Sequence, residues 1–441
     1  MIVIKFGGSS VANREQIDKV ARIIQERSEQ SQLIICSAHQ GVTTQLIDSA
    51  KAAAEGNLDI TKALARQKQI CLELNCPETC LKSLYEELTT LLRGISLVRE
   101  LSKRTLDYVA SFGERMSVRV IAWYLRQQGL EALPFDAWEL GLLTDSNFGA
   151  ARPLPNYLQE IPTRLQQMGK IIPIVTGFIG KDINGNITTL GRNGSDLSAT
   201  LFAEALQADS CEIWSDTNGV MSADPGLISD ARNIPQMSFR EASELARFGS
   251  RILHPASLEP VTRAEIPLRV MNTNAPEHPG TLITHEDSSS RYSITSIAYK
   301  ERQTIITITS SAMFQHAGFL ADVFSVLGRH QIIVDMISTS EISLSFSTES
   351  SPQLERALEE LARLGNCNVV TDKTIIAIVA PNHNHFLRHE VNVLAVLQDK
   401  QIDAEMLSLG YQSINLMLIV DDFQIAKAIS SLHSAFFSQP E

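Results

Sequence analysis

The sequence predicts an α/β protein with a mainly parallel central sheet between helical layers, followed by a tail of smaller α+β units. Three observations carry this. In the first 270 residues short apolar runs alternate with stretches of helical period, the pattern of strands wound with crossover helices. Those runs are apolar throughout, as strands buried on both faces are. After about Ser290 the texture changes to a unit that occurs twice.

The elements follow in order. "IVIK" (Ile2–Lys5) is the first strand, and the helix after it keeps Ile17, Val20, Ile23 and Ile24 on one face. "LIICSA" (Leu33–Ala38) is the next strand, with a helix from Thr44. From about Ile60 to Arg104 the pattern is almost all helical, which predicts an inserted helical bundle, at about 60–105. "ALPFDA", "IIPIVTGFIG" and "SCEIWSD" are further strands, and a helix opens near Asp196. The two prolines and the glycine of "NAPEHPGTLI" read as a connection, with the boundary inside Asn272–Lys300. In the tail, Thr304–Ile306 match Thr374–Ile376 at an offset of 70 residues. Val323, Val326 and Leu327 match Val393, Val396 and Leu397, and Gln331, Ile332, Met336 and Ser338 match Gln401, Ile402, Met406 and Ser408. Each copy reads strand, helix, strand, strand, helix, an internal duplication. The expected domains are 1–285 and 296–441, the second holding repeats at about 303–370 and 373–437.

Composition excludes some functions. There are 38 basic and 50 acidic side chains, a net charge of −12, which argues against a general binder of nucleic acid or of anionic membranes. An anionic small substrate would need local arginines and helix ends. No run approaches the roughly 18 apolar residues of a membrane span, and Met1–Ile4 is followed at once by Lys5 and glycines. The chain reads as soluble and cytoplasmic. Of six cysteines, three lie in "CLELNCPETC", which lacks C-x2-C pairs and a nearby histidine. They read as reduced, structural thiols and not as a metal site.

Several motifs sit where strands end. "VIKFGGSS" puts Lys5 at a strand end and Gly7, Gly8 and Ser9 directly after it. Such a turn lets backbone approach phosphate, and is equally an ordinary strand–turn; it is neither a P-loop nor a GxGxxG fingerprint. "CSAHQGVTTQL" repeats the logic with Ser37 and Thr43. "SFGERMS" places Glu114 near an expected helix start, where a glutamate also suits the helix dipole. In "TTLGRNGSDLSAT", Ser195 or Gly194 is expected to cap a helix with Asp196 in its first turn. That leaves over Arg192, whose guanidinium can grip a carboxylate or phosphate with two prongs. "IWSDTNGVMSADPG" sets Ser215 and Asp216 at the carboxyl end of another strand, where ligands bind in open α/β sheets. Its turn residues are also those of any long loop. "RFGSRILHP" offers Arg251, and a His254 of structural character.

Taken together, "KFGGSSV", "GFIG…TTLGRNGSDLSA", "EIWSDTNGV…ADP" and "FGSRILHPASLEPVTRAEIPLRV" occur in the order found in aspartate kinases of the amino-acid-kinase superfamily. The duplicated tail resembles their paired ACT modules. The resemblance covers essentially the whole chain, and "GFLADVFSVLGRHQIIVDMISTSE" is most similar to the lysine-sensitive monofunctional subclass. It implies an amino-acid-kinase αβα sandwich with ferredoxin-like ACT domains. It implies transfer of a phosphoryl group from ATP, with Mg2+ held by the ATP phosphates and no dedicated metal ligands, to L-aspartate. That reaction opens lysine, threonine and methionine synthesis.

By the same resemblance Lys5 bridges the transferring phosphate, helped by Gly7, Gly8 and Ser9, and Asp196 orients Lys5. Arg192 holds the α-carboxylate of aspartate and Glu114 its α-ammonium, with Ser37, Thr43 and Ser195 alongside. Ser215, Asp216, Met221, Asp224 and Arg251 surround the nucleotide. Three positions depart from the family pattern: Arg251 replaces a lysine, Met221 an aromatic residue and Gly226 an arginine. Effector contacts map to Met313, His316, Gly318, Phe319, Leu320, Val334, Asp335, Ser340 and Glu341. Phe319, Leu320 and Val334 are equally readable as core, and His316 departs from a small polar residue. L-Lysine is the expected effector, and a homodimer or dimer of dimers through the ACT domains the expected assembly. The alternatives are another enzyme of the superfamily with a different substrate, and a catalytically inactive amino-acid sensor.

Overall fold

The computed structural model describes residues 1–248, 253–286, 294–314, 317–381 and 393–437. The chain divides into two compact units: Met1–Val220 with Ile252–His285, and Met221–Arg251 with Glu286–Glu441.

In the first unit β1 (Ile2–Phe6), α1 (Arg14–Glu26), β2 (Gln32–Cys36) and α2 (Val42–Ala54) alternate. The helices α3 (Ile60–Leu74), α4 (Lys82–Val98) and α5 (Lys103–Gln127) come next. Then follow β3 (Ala132–Phe135), β4 (Leu143–Thr144), α6 (Tyr157–Gln166), β5 (Ile172–Thr176), β6 (Ile179–Asp182), β7 (Ile187–Thr189), α7 (Gly194–Leu206) and β8 (Ser210–Ser215). The sheet runs β3-β5-β2-β1-β8 with parallel neighbours. β1 and β2 are buried at every residue, which is why their sequences carry no alternation. α1 starts where the Asn13 side chain accepts the Gln16 N–H at 3.0 Å, and it buries Ile17, Val20, Ile23 and Ile24. α3, α4 and α5 bury Leu64, Ile70, Leu84, Leu88, Leu92 and Phe112 into one apolar core with β1 and β2. β4, β6 and β7 form a separate small sheet.

The second unit takes in β9 (Gln236–Ser238) and α8 (Phe239–Arg247). The last elements of the first unit are α9 (Pro255–Arg263), β10 (Leu268–Asn272), which extends the parallel sheet beyond β8, and β11 (Thr281–Thr284), antiparallel to β10.

The tail is built as expected from the duplication. It runs β12 (Ser296–Thr309), α10 (Phe319–Arg329), β13 (Ile337–Thr339), β14 (Ser343–Glu349) and α11 (Pro352–Leu361). The second copy is β15 (Asn366–Val379), helical residues 393–399 (α12), β16 (Met406–Ser408), β17 (Asn415–Asp421) and α13 (Ile425–Phe437). The copies agree in backbone detail: Arg302 and Asp372, and Gln331 and Gln401, all take positive φ of 55° to 58°. All four sit at the same offset of 70 residues. One antiparallel sheet, β13-β14-β12-β15-β17-β16, spans both. Its two central strands are shared. Thr304–Thr309 pairs with β14, while Ser296–Lys300 pairs with Ile375–Val379; residues 366–370 pair back onto 305–309, while Lys373–Val379 pairs with β17. Each ferredoxin-like repeat thus takes its fourth strand from the strand that begins the other.

The segment Met221–Arg251 packs with this second unit. The Ser296 hydroxyl donates to Met221 O at 2.8 Å, Ile297 N–H to Ser222 O at 2.8 Å, and Ser222 Oγ lies 2.9 Å from His433 Nε2. Thr295 bonds to the buried Glu241 carboxylate, and Asn415 to Glu244. Polar contacts distant in sequence hold this segment, so the local pattern carries no trace of them.

Candidate active site

The first unit brings its chemistry to the carboxyl ends of β5, β2, β1 and β8, where open α/β sheets bind ligands. Lys5, one residue from the end of β1, places Nζ 2.5 Å from Asp196 Oδ1. Both side chains are nearly enclosed, at 10% and 8% exposure, so neither charge is screened well by water. A Cβ added to Gly7 would lie 3.4 Å from the Lys5 ammonium, and one on Gly8 3.1 Å from Ala38 O. The glycine turn therefore runs directly past the cation. Ser37 N–H donates to Phe6 O at 3.1 Å, stitching the two strand ends together.

Glu114 reaches this edge from α5. The Ala38 N–H donates to its Oε1 at 3.2 Å, while Oε2 is buried without a hydrogen-bond partner among the described residues. Burial raises the Glu114 carboxyl from an ordinary 4.5 to about 8, and the Ala38 bond opposes it. Glu114 was expected near a helix start; it lies well inside the 25-residue α5, which begins at the Ser102 cap. Gly113 is there for a close approach, since a Cβ would strike Ala38 Cβ at 2.8 Å and Thr43 Oγ1 at 2.9 Å. That approach brings Thr43 and Glu114 to the same edge.

The cap expected from Ser195 or Gly194 is also different. The N-cap of α7 is Asn193, at φ 54°, and its side chain makes no capping bond; Gly194 and Ser195 are already helical. Ser195 packs against Gly177, where a Cβ would meet its Cβ at 2.7 Å. Asp196 does occupy the first turn, as expected. Arg192 is exposed in the loop before it and forms no ion pair among the described residues. It lies close enough to His254 to lower that imidazole's pKa, second to burial.

Asp107, not singled out in the sequence, positions this loop. Its carboxylate accepts Gly149 N–H, Thr189 N–H and Thr189 Oγ1–H, each at 2.9 Å. It ties α5 to the strand that leads into Arg192. The only signal in the sequence is an acid among apolar helix residues.

The nucleotide residues read from the sequence are divided. Ser215 ends β8 in the first unit with the exposed Asp216 directly after it, and Thr273 N–H donates to Ser215 O at 2.9 Å. Met221 and Asp224 lie in the second unit. Asp224 accepts the Tyr299 hydroxyl at 2.9 Å and Gly226 N–H at 2.8 Å. Arg251 lies outside the described residues, as does His316.

Of the other effector positions, Phe319 is buried in the core of the first repeat, with Met313 and Val334 packed against it. Leu320, Ser340 and Glu341 are exposed, so Leu320 is not core, and Gly318 is the N-cap of α10. Asp335 pairs with Lys300 at 2.7 Å.

The glycine turn, the enclosed Lys5–Asp196 pair and Glu114 thus gather at one edge of a parallel sheet. Residues 1–272 match the amino acid kinase family and residues 306–363 an ACT domain. "Aspartokinase 1, chloroplastic" of Arabidopsis thaliana is 35% identical over 99% of this chain and 80% of its own length. "Lysine-sensitive aspartokinase 3" of Escherichia coli is 32% identical over 99% of both. The structure of E. coli aspartokinase III with aspartate and ADP (R-state) is 31% identical and covers 98% of this chain and 99% of that one, with a TM-score of 0.85. Its complex with lysine and aspartate (T-state) is likewise 31% identical, covering 99% of each, with a TM-score of 0.76. The chain belongs to the aspartokinases, and is an aspartate kinase with ACT domains.

Proposed function

We propose that this enzyme transfers the γ-phosphoryl group of ATP to the side-chain carboxylate of L-aspartate, giving 4-phospho-L-aspartate and ADP. We further propose that the step opens lysine, threonine and methionine synthesis and is inhibited by L-lysine. The observation that carries the reaction is the enclosed Lys5–Asp196 pair beside the Gly7–Gly8 turn, with Glu114 one strand away.

An aspartate carboxylate is ionised at neutral pH and needs no general base. Its oxygen forms the new P–O bond while the bond to the ADP oxygen breaks. The work left to the protein is alignment and stabilisation of charge on the transferring group. Lys5 supplies the charge, with Asp196 holding its ammonium in place. Gly7, Gly8 and Ser9 allow the phosphates close to the backbone. Arg192 grips the α-carboxylate and Glu114, ionised on binding, meets the α-ammonium; Ser37, Thr43 and Ser195 border the same space. Ser215, Asp216, Met221, Asp224 and Arg251 are the nucleotide contacts. Mg2+ would be carried by the ATP phosphates and would neutralise charge there, while Asp196 is engaged by Lys5.

The effector reading rests on the ACT domain at residues 306–363, on the repeat of its fold that follows, and on the lysine sensitivity named for the E. coli relative. Met313, His316, Gly318, Phe319, Leu320, Val334 and Ser340 border the amino acid, and Asp335 and Glu341 pair with its amines. The ACT domains join copies into a dimer or a dimer of dimers. All six cysteines are free thiols, which suits a reducing compartment such as the cytoplasm. No helix among the described residues is long and apolar enough to cross a membrane.

The test is an assay with ATP, Mg2+ and L-aspartate in hydroxylamine, which traps an acyl phosphate as hydroxamate. Hydroxamate and ADP should appear together and only with aspartate. ADP release independent of aspartate, without hydroxamate, would sink the reading.

A further inference from the structure

We propose that the Lys300 ammonium is a built-in competitor at Asp335, so that an effector amine binds the first repeat only by displacing a cation supplied by the chain. This rests on the reading of Asp335 as an effector contact. Lys300 Nζ lies 2.7 Å from Asp335 Oδ2 and 3.0 Å from Glu349 Oε1. It presents to those carboxylates the same primary ammonium, with three N–H donors, that an amino acid carries.

The second repeat shows what this arrangement is. There Lys373 Nζ bridges Glu405 Oε1 and, at 2.7 Å, Asp421 Oδ1. The carboxylates are counterparts: Asp335 N–H donates to Ser347 O at 3.0 Å and Glu405 N–H to Ile419 O at 2.9 Å. Glu349 faces Gln303 across the sheet, and Asp421 faces Lys373. The lysines are not counterparts. The 70-residue offset aligns Lys373 with Gln303, and Lys300 lies three residues earlier. Both repeats therefore place an ammonium between the same two carboxylates from different strand positions. The cation belongs to the acidic pair, because two neighbouring carboxylates repel unless one sits between them.

The two differ in enclosure. The Lys373 side chain is 6% exposed, whereas that of Lys300 is 23% exposed. Burial opposes the Lys300 charge, yet Asp335 and Glu349 outweigh it and hold its pKa above the usual lysine value. The second repeat is thus plugged by its own side chain, while the first holds an ammonium that can be exchanged. An amine competing with it binds in proportion to the fraction of time Asp335 is free.

The test is calorimetric titration of the full-length enzyme with L-lysine, alongside lysine inhibition of ADP release. Lys300→Met should tighten lysine binding about tenfold, the scale of a partly enclosed ion pair held nine-tenths of the time. Lys300→Arg, which keeps the cation and adds a two-pronged grip on Asp335, should weaken it. Lysine heat seen only with Lys300→Met would also support the proposal. Equal or weaker binding by Lys300→Met, or no weakening by Lys300→Arg, overturns it and leaves the effector reading standing. No lysine binding by wild type or either variant overturns both.

Discussion

Lys5 and Asp196 are individually costly to enclose, and each is tolerable because of the other. Lys5→Met should lower kcat by about a hundredfold to a thousandfold, the loss seen when one preorganised charge partner is removed from a transition state. Single-turnover phosphoryl transfer measures it, and a variant within threefold of wild type would deny Lys5 its role. Arg192 contrasts with it. Being exposed and without an ion pair among the described residues, it should be dispensable for stability, while Arg192→Ala should raise the aspartate KM about tenfold to a hundredfold. Steady-state kinetics varying each substrate would show it; an equal loss in both KM values would count against the assignment.

Glu114 makes a prediction with a definite sign. Its carboxyl is raised to about 8 in the fold against 4.5 for an ordinary glutamate. Between those values the folded chain keeps a proton that the unfolded chain has released. Stability is therefore lost as pH rises from about 4.5 through 8. Glu114→Gln cannot lose that proton, so its melting temperature should gain on wild type from pH 5 to pH 8.5. Parallel melting curves across that range would contradict the shift. Because the α-ammonium of aspartate selects the ionised carboxylate, the wild-type aspartate KM should also rise as pH falls below about 8.

Among the elements, α5 carries the most. One helix holds Asp107, Gly113 and Glu114, linking the loop before Arg192 to the edge where Lys5 stands. Asp107→Ala would leave two N–H groups and a hydroxyl without an acceptor, and should cost about 2–4 kcal/mol, read by urea unfolding. A loss below about 0.5 kcal/mol would mean the loop is held by other contacts. This helix also marks how far the sequence could be read. Its apolar positions and the strand-end motifs were legible because they are local. "SFGERMS" looked like a helix start because glycine ordinarily interrupts helices. Only the position of Ala38 and Thr43, some 70 residues earlier in the chain, explains why a glycine belongs mid-helix. Likewise Gly194 and Ser195, already in the first turn of α7, imitate a cap, whereas the cap position is the left-handed Asn193.

For the whole molecule, the duplication was legible as matches at an offset of 70 residues from Thr304 onward, while the paired left-handed positions at Arg302 and Asp372 appear only in the structure. The contacts that hold Met221–Arg251 were not legible, because bonds such as those of Ser222 and Glu241 join residues far apart in sequence. A chain ending at residue 285 would strip those partners away. Limited proteolysis followed by mass spectrometry should find cleavage between residues 221 and 251 in that fragment, at protease levels the full chain resists. Full protection would show that the segment stands without the tail.

The shared strands β12 and β15 have a consequence for how this enzyme can change over generations. Because each repeat borrows an edge from the other, genetic recombination cannot replace one of them as a cassette. Any crossover that imports a foreign repeat leaves half of each long strand beside a neighbour it never met. New effector responses in such a tail must arise by substitution, one side chain at a time, within a sheet that is inherited whole.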